Sequence, residues 1–185
     1  MGLIIAFCGL SAVLVKLSFD LTDLTQRQSF MEEERNKMKV EMDIMEEQLK
    51  GLEEERTRKE DERIIREIIE HEAEYVLAGL LDEASGLFDE NASIRDAAHN
   101  KTWSGKKEIS ERYRDLPTFK SIKHEAIKIT FSQDGTYAIA IASTVGIIID
   151  ENGIEQDISS IQGEQWTIEK ILGEWKIISF TYGIT

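Results

Sequence analysis

The chain has 185 residues, with 36 acidic against 22 basic side chains and a net charge of −14. Its length allows one domain of ordinary size plus appendages, and its acidity excludes a nucleic-acid binder, which needs clustered Lys and Arg against phosphates. A single cysteine, Cys8, excludes an internal disulfide and a thiolate zinc site, and His71, His99 and His124 are too scattered for a metal motif. Neither metal nor cofactor is expected.

Residues 2–19 carry one charge, Lys16. The run is short for a spanning helix of ~20 residues but adequate if Lys16 snorkels to the headgroups. It lacks the basic start and small-residue cleavage site of a secretory signal, and Phe7 is too bulky to precede a lipidated Cys8. The expectation is a single N-terminal membrane anchor; the alternative is a soluble helix end buried in an oligomer. Lys16 on the C-terminal flank favours a cytoplasmic remainder, on the support of one residue.

Residues 20–63 form a heptad stretch. Seam positions are Leu21, Leu24, Gln28, Met31, Arg35, Met38, Met42, Met45, Leu49 and Leu52, then Arg56, Lys59 and Arg63. A 4-3 apolar spacing brings these side chains onto one stripe and predicts a coiled coil, with a homodimer as its simplest product. Glu33–Lys37, Glu46–Lys50, Glu54–Arg58, Glu55–Lys59 and Glu62–Arg66 add ~0.2–0.5 kcal/mol each to the helix. From Gly51 the seam turns basic and reads as a charged spacer. A solitary charged helix throughout is the alternative.

Residues 64–185 form the domain. Ile64, Ile65, Ile68, Ile69, Ala73, Val76, Leu77, Leu80 and Leu81 make a wide helical stripe suited to a sheet. A short second helix over 83–88, a strand over 92–98 and a third helix over 106–116, capped by Ser104 and stopped by Pro117, follow. Strands are then expected over 119–131, 137–149, 154–172 (with a bulge near Gly163) and 175–184, with turns at Asp134-Gly135, Asn152-Gly153 and Gly173-Glu174. In the second of these strands, Tyr137, Ile139, Ile141, Val145, Ile147 and Ile149 share one face. Ala138, Ala140, Ala142 and Gly146 share the other, where a helix has room to lie close. In the last strand, Trp175 and Ile177 are placed opposite Ile178, Phe180 and Tyr182. Helices first and antiparallel strands later make the class α+β.

Two local patterns, Trp103-Ser104-Gly105-Lys106-Lys107-Glu108-Ile109 and Gly173-Glu174-Trp175-Lys176-Ile177, stand in the order found in the NTF2-like superfamily. Residues 64–185 resemble its SnoaL-like and ketosteroid-isomerase-like domains. The resemblance implies a cone of three helices on a strongly curved antiparallel sheet, often dimeric, with a pocket inside. In isomerase-like members a general-base carboxylate lies where Asp96 stands, in Ser93-Ile94-Arg95-Asp96. The family's phenol would fall at Glu72, with Tyr75 one turn away, and its second acid has no match in 137–149. His99 and His124 are acid–base candidates by likeness to dehydratase-like members, Asp96 with His99 being the catalytic pair carried forward. Tyr75, Trp103, Tyr113, Tyr137 and Trp166 are candidates for lining a ligand pocket, with core packing the alternative for each.

The leading functional expectation is a membrane-tethered, oligomeric module that binds a small apolar ligand or a protein partner without catalysis. A lyase or isomerase using Asp96 and a structural assembly protein are the alternatives.

Overall fold

The computed structural model of the chain describes residues 2–159 and 163–184, with side chains from Lys16 onward. Helix α1 covers Gly2–Ala78 and takes part in two compact units, one up to Glu55 and one from Arg56 onward. In the first unit Leu21, Leu24, Met31, Met38, Met42, Met45, Leu49 and Leu52 are all exposed. Asp23–Arg27 and Glu33–Lys37 close as i,i+4 ion pairs at 3.0 and 2.7 Å. Such surface pairs support a helix and do little more. The side chains of residues 2–15, on which the expected anchor rests, lie outside the described ones. Among the described residues no helix is long and apolar enough to cross a membrane.

In the second unit α1 runs to Ala78 and stops in a Schellman turn. Gly79 takes φ 72°, the Leu80 N–H donates to the Tyr75 carbonyl at 2.8 Å, and the Gly79 N–H donates to that of Val76 at 3.1 Å. Glycine adopts this left-handed turn without a Cβ clash. Helix α2 (Leu81–Gly86) follows, then strands β1 (Phe88–Asp96) and β2 (Lys101–Ser104). The first strand thus begins earlier than the sequence pattern implied, and β2 is an added hairpin partner. It carries Trp103 into α3 (Gly105–Arg114), where the Glu108 carboxylate accepts the Ser104 N–H at 2.7 Å.

The remaining strands are β3 (Thr118–Phe131), β4 (Tyr137–Ile149), β5 (Glu155–Asp157), β6 (Gly163–Ile171) and β7 (Glu174–Ile184). One sheet orders them β2-β1-β7-β6-β4-β3, and β5 pairs with the second half of β4. The expected strand over 154–172 is therefore two strands on one neighbour, because β6 pairs only with Tyr137 to Ser143 of β4. All described pairings are antiparallel except β1 with β7.

Bulges bend this sheet. The register of β3 against β4 slips between Glu125 and Lys128, where Ala126 takes φ 54°. On β7 the register passes from Ile177 to Ser179 opposite adjacent residues of β6, leaving Ile178 as the extra residue. That bulge corrects the two-faced reading of the last strand. Trp175, Ile177 and Phe180 all join the core, because one inserted residue flips the alternation.

The alanine face of β4 is the inner one. Ala138, Ala140 and Ala142 are buried, whereas Ile141 on the opposite face is 49% exposed. Ile65, Ile69 and Val76 of α1 belong to the same buried cluster as these alanines. Asp61, assigned from sequence to the spacer, is buried and accepts the Trp175 indole N–H at 2.8 Å and the Lys170 ammonium at 2.8 Å. This network fixes the start of the domain's helix against β6 and β7.

A test of the faces follows from the burial. Ala140→Leu overpacks the interior and is expected to cost about 1–3 kcal/mol in urea unfolding. Ile141→Thr on the outer face should stay within about 0.5 kcal/mol. The reverse order would show that the sheet faces are assigned the wrong way round.

Candidate functional site

The concave side of the sheet and the helices enclose a cavity of about 230 Å³. Glu72 and Val76 of α1, Arg112 and Tyr113 of α3, Ile122 and His124 of β3, Thr144 and Ile148 of β4, Glu164 of β6 and Phe180 and Tyr182 of β7 contribute to its walls. Leu116, Pro117 and Phe119, between α3 and β3, complete much of the rest. The lining is mainly apolar, with its polar groups gathered in two places.

The first polar group is buried. The His124 ring presents Nδ1 to Glu164 Oε2 at 2.9 Å and Thr144 Oγ1 at 3.1 Å, and Nε2 to Glu72 Oε2 at 3.3 Å. Thr144 donates its hydroxyl to Glu164, and the Tyr113 hydroxyl donates to Glu72 Oε1 at 2.6 Å. Burial opposes charge on the imidazole, but hydrogen bonds and charge from Glu164 and Glu72 outweigh it and raise the His124 pKa to about 9. The ring is therefore an imidazolium at neutral pH. Burial, followed by the Glu72 charge, pushes the Tyr113 phenol well above its ordinary range and keeps it a donor. Behind the imidazole, Trp166 packs at 4.9 Å between ring centroids and stacks on Phe180 at 5.0 Å.

Each member arrives by the periodicity of its element. Ile65, Ile69, Glu72 and Val76 are spaced four, three and four residues apart, so Glu72 falls on the buried stripe of α1. Ile122 and His124 alternate on β3, as do Ala142 and Thr144 on β4 and Glu164 and Trp166 on β6. A charged residue in an apolar phase was the signal available in the sequence for Glu72 and Glu164.

The second polar group starts at Arg112. Its Nη2 donates to the Tyr182 hydroxyl at 3.0 Å, and Tyr182 donates onward to Asp96 Oδ2 at 3.3 Å. Asp96, buried at the end of β1, also accepts from His99 Nδ1 at 2.8 Å and from the His99 backbone N–H at 3.1 Å. Burial raises the Asp96 pKa, but the His99 hydrogen bonds and charge win and hold it below the usual carboxylate value. Asp96 and His99 are thus brought together, with the His99 side chain 79% exposed. Neither borders the cavity, which they reach only through Tyr182.

Of the five aromatic candidates, Tyr113 lines the cavity. Trp166 is buried in the wall beneath His124. Tyr75 stacks on His71 at 5.7 Å, and Trp103 takes the cations of Lys101 and Arg112 on its ring at 4.7 and 5.0 Å. Tyr137 sits at the start of β4 on the face opposite the buried alanines. Among the described residues no cluster of three or more His, Cys, Asp or Glu is arranged to hold a metal ion.

No protein-family model matches this chain, and no curated protein matches it. Solved structures do. An NTF2-like protein with a cystatin-like fold from Novosphingobium aromaticivorans aligns with a TM-score of 0.56 at 17% identity, covering 66% of this chain and 80% of its own. The fold is NTF2-like. A ketosteroid isomerase-like protein from Erwinia carotovora atroseptica aligns at 0.57 and 14% identity over 65% and 92% of the two chains. A domain of unknown function with a cystatin-like fold from Nostoc punctiforme aligns at 0.52 and 14% identity over 68% and 77%. The α+β class expected from the order of helices and strands, and the NTF2-like cone anticipated from the Trp103–Ile109 and Gly173–Ile177 motifs, are the observed ones.

The raised pKa fixes the sign of a pH effect. Folding lifts the His124 pKa from an ordinary 6.5 to about 9. Its contribution is fully present below pH 6.5 and is lost as pH rises through about 9, on the order of a few kcal/mol. Unfolding free energy measured from pH 6 to 9.5 should fall in the unsubstituted protein and fall less in His124→Gln. Parallel profiles would mean that the imidazole is not charged in the fold.

Proposed function

We propose that the domain is a binding module for a small, largely apolar molecule, held in the cavity between α1, α3 and the concave sheet face. The observation that supports this reading best is the cavity itself. Its mostly apolar lining stays open although Tyr113 and Phe180 border it, and its buried cluster is internally hydrogen-bonded. Apolar walls with a few fixed polar groups are the usual make-up of small-molecule sites. Filling the space should abolish binding: Ile148→Trp is expected to lose affinity at least tenfold for small aromatic fragments titrated by ligand-observed NMR, with unfolding still cooperative. Equal binding by both proteins would place the fragments elsewhere.

The same buried cluster favours a second reading, a lyase or isomerase. An imidazolium between two carboxylates is a proton reservoir beside an apolar pocket, where a carboxylate can take a proton and the ring can resupply it. Asp96 is the weaker base in this reading, since its pKa is lowered and it lies outside the cavity lining. A protein-assembly role is the third, supported by the half-exposed isoleucines on the outer face of β4.

The surrounding architecture is part of the proposal. The apolar seam exposed from Leu21 to Leu52 supports homodimer formation through a coiled coil, and the outer sheet face offers a second contact. The composition of residues 2–19 supports attachment to a membrane, with the domain on the cytoplasmic side favoured by Lys16. Sedimentation of the full chain in detergent should give a dimer, and the double variant Met38→Lys, Met45→Lys should give a monomer. A dimer unaffected by both lysines would remove the seam from the interface.

A further inference from the structure

Arg112 is the part of the cavity wall that the binding reading leaves unused. It projects from α3 half-buried, with its guanidinium carbon 5.0 Å from the Trp103 ring centre and 5.7 Å from that of Tyr182. One of its nitrogens is spent on the Tyr182 hydroxyl at 3.0 Å. Among the described residues no carboxylate lies within ion-pair distance of it, whereas Arg66 and Arg114 each have one and Arg63 has two. Two aromatic rings and one hydrogen bond thus hold a planar fork in place with its other N–H donors unassigned. A guanidinium fixed in this way loses little freedom on pairing with a planar anion.

The opposite polar group has little left to offer as a donor. His124, Tyr113 and Thr144 spend their N–H and O–H groups on Glu72 and Glu164. What the cavity still presents to a ligand is therefore a cationic donor at one place and hydrocarbon around it. Arg112 is also the one Arg or Lys among the described residues that line the cavity, beside two acidic side chains, Glu72 and Glu164. A doubly charged anion such as a phosphate monoester would be repelled more strongly than a singly charged one. At about 230 Å³ the space is smaller than the ≈ 300–1,000 Å³ of sites for drug-sized ligands.

We propose that the cavity takes a small apolar monocarboxylate. Its carboxylate pairs with Arg112, and its hydrocarbon body lies against Phe119, Ile122 and Ile148. This rests on the binding reading above and adds the chemical class of the ligand. It also gives Trp103 and Tyr182 a role as positioning residues for the guanidinium.

Three aromatic probes of similar size test it on the full chain by isothermal titration calorimetry: benzoate, benzamide and benzylamine. Benzoate is expected to bind at least tenfold more tightly than benzamide, about 1.4 kcal/mol, and to weaken with added salt while benzamide does not. Arg112→Gln should reduce benzoate to the level of benzamide, and Arg112→Lys should fall between. Benzamide binding as well as benzoate, or benzylamine binding best, would overturn the carboxylate assignment and leave the cavity as a site for neutral or cationic molecules. Failure of all three probes to bind would sink the binding reading and this proposal together. The probe comparison needs no variant, so a poorly folding Arg112 substitution does not blunt it.

Discussion

The charged imidazole of His124 joins side chains from five elements: Glu72 of α1, Tyr113 of α3, His124 of β3, Thr144 of β4 and Glu164 of β6. Burying an imidazolium among acidic side chains is expensive, and their attraction repays it only when the remaining donors and acceptors are matched. Here the match is nearly complete, because Thr144 and Tyr113 each spend a hydroxyl on a carboxylate. The concave face of the sheet can therefore stay hollow near the cluster without leaving a lone charge in it. Removing His124 would leave Glu72 and Glu164 buried without the donor between them, which makes the ring a constraint on how helix and sheet approach. Trp166, stacked on Phe180, packs edge-on against the ring and confines it from below.

A second constraint acts at the other end of the domain's helix. Asp61 gathers the Trp175 indole and the Lys170 ammonium, so α1 is tied to β6 and β7 there and to β3 and α3 through Glu72. Between the two ties lie Ile65 and Ile69, buried in one cluster with the alanines of β4. Polar ties set position and apolar contact fills the interval. The helix is thereby fixed in register and rotation, which is what keeps the cavity at one size.

Much of this architecture was legible in the sequence because it rests on periodicity. The alanine phase of β4 marked the inner face, Pro117 and Ser104 bracketed the third helix, and the Trp103 and Trp175 motifs pointed to the NTF2-like cone. The last strand was not legible in the same way, since a bulge at Ile178 reverses alternation without any glycine or proline to announce it. The site was harder still. Asp96, His99, His124 and five aromatic residues were the candidates; His124 and Tyr113 are in the buried cluster, whereas the other aromatic candidates lie outside the cavity lining. Glu72, which falls at the position of the family's phenol, and Glu164 sit in phase with apolar neighbours, and three-dimensional closure brings His124 between them. Arg112 carried no pattern at all, because its environment is made by Trp103 and Tyr182 from distant parts of the chain.

Trp103 is the residue by which the entry to the third helix was recognised, and it is also the ring over which the Arg112 guanidinium lies. One side chain thus answers to two demands, seating a helix and holding a cation. Its ring also packs against the hydrophobic core, so the helix entry, the core edge and the cation share one side chain. A motif used to identify the fold would then double as a marker of which of its bearers keep an ordered cation at the cavity wall.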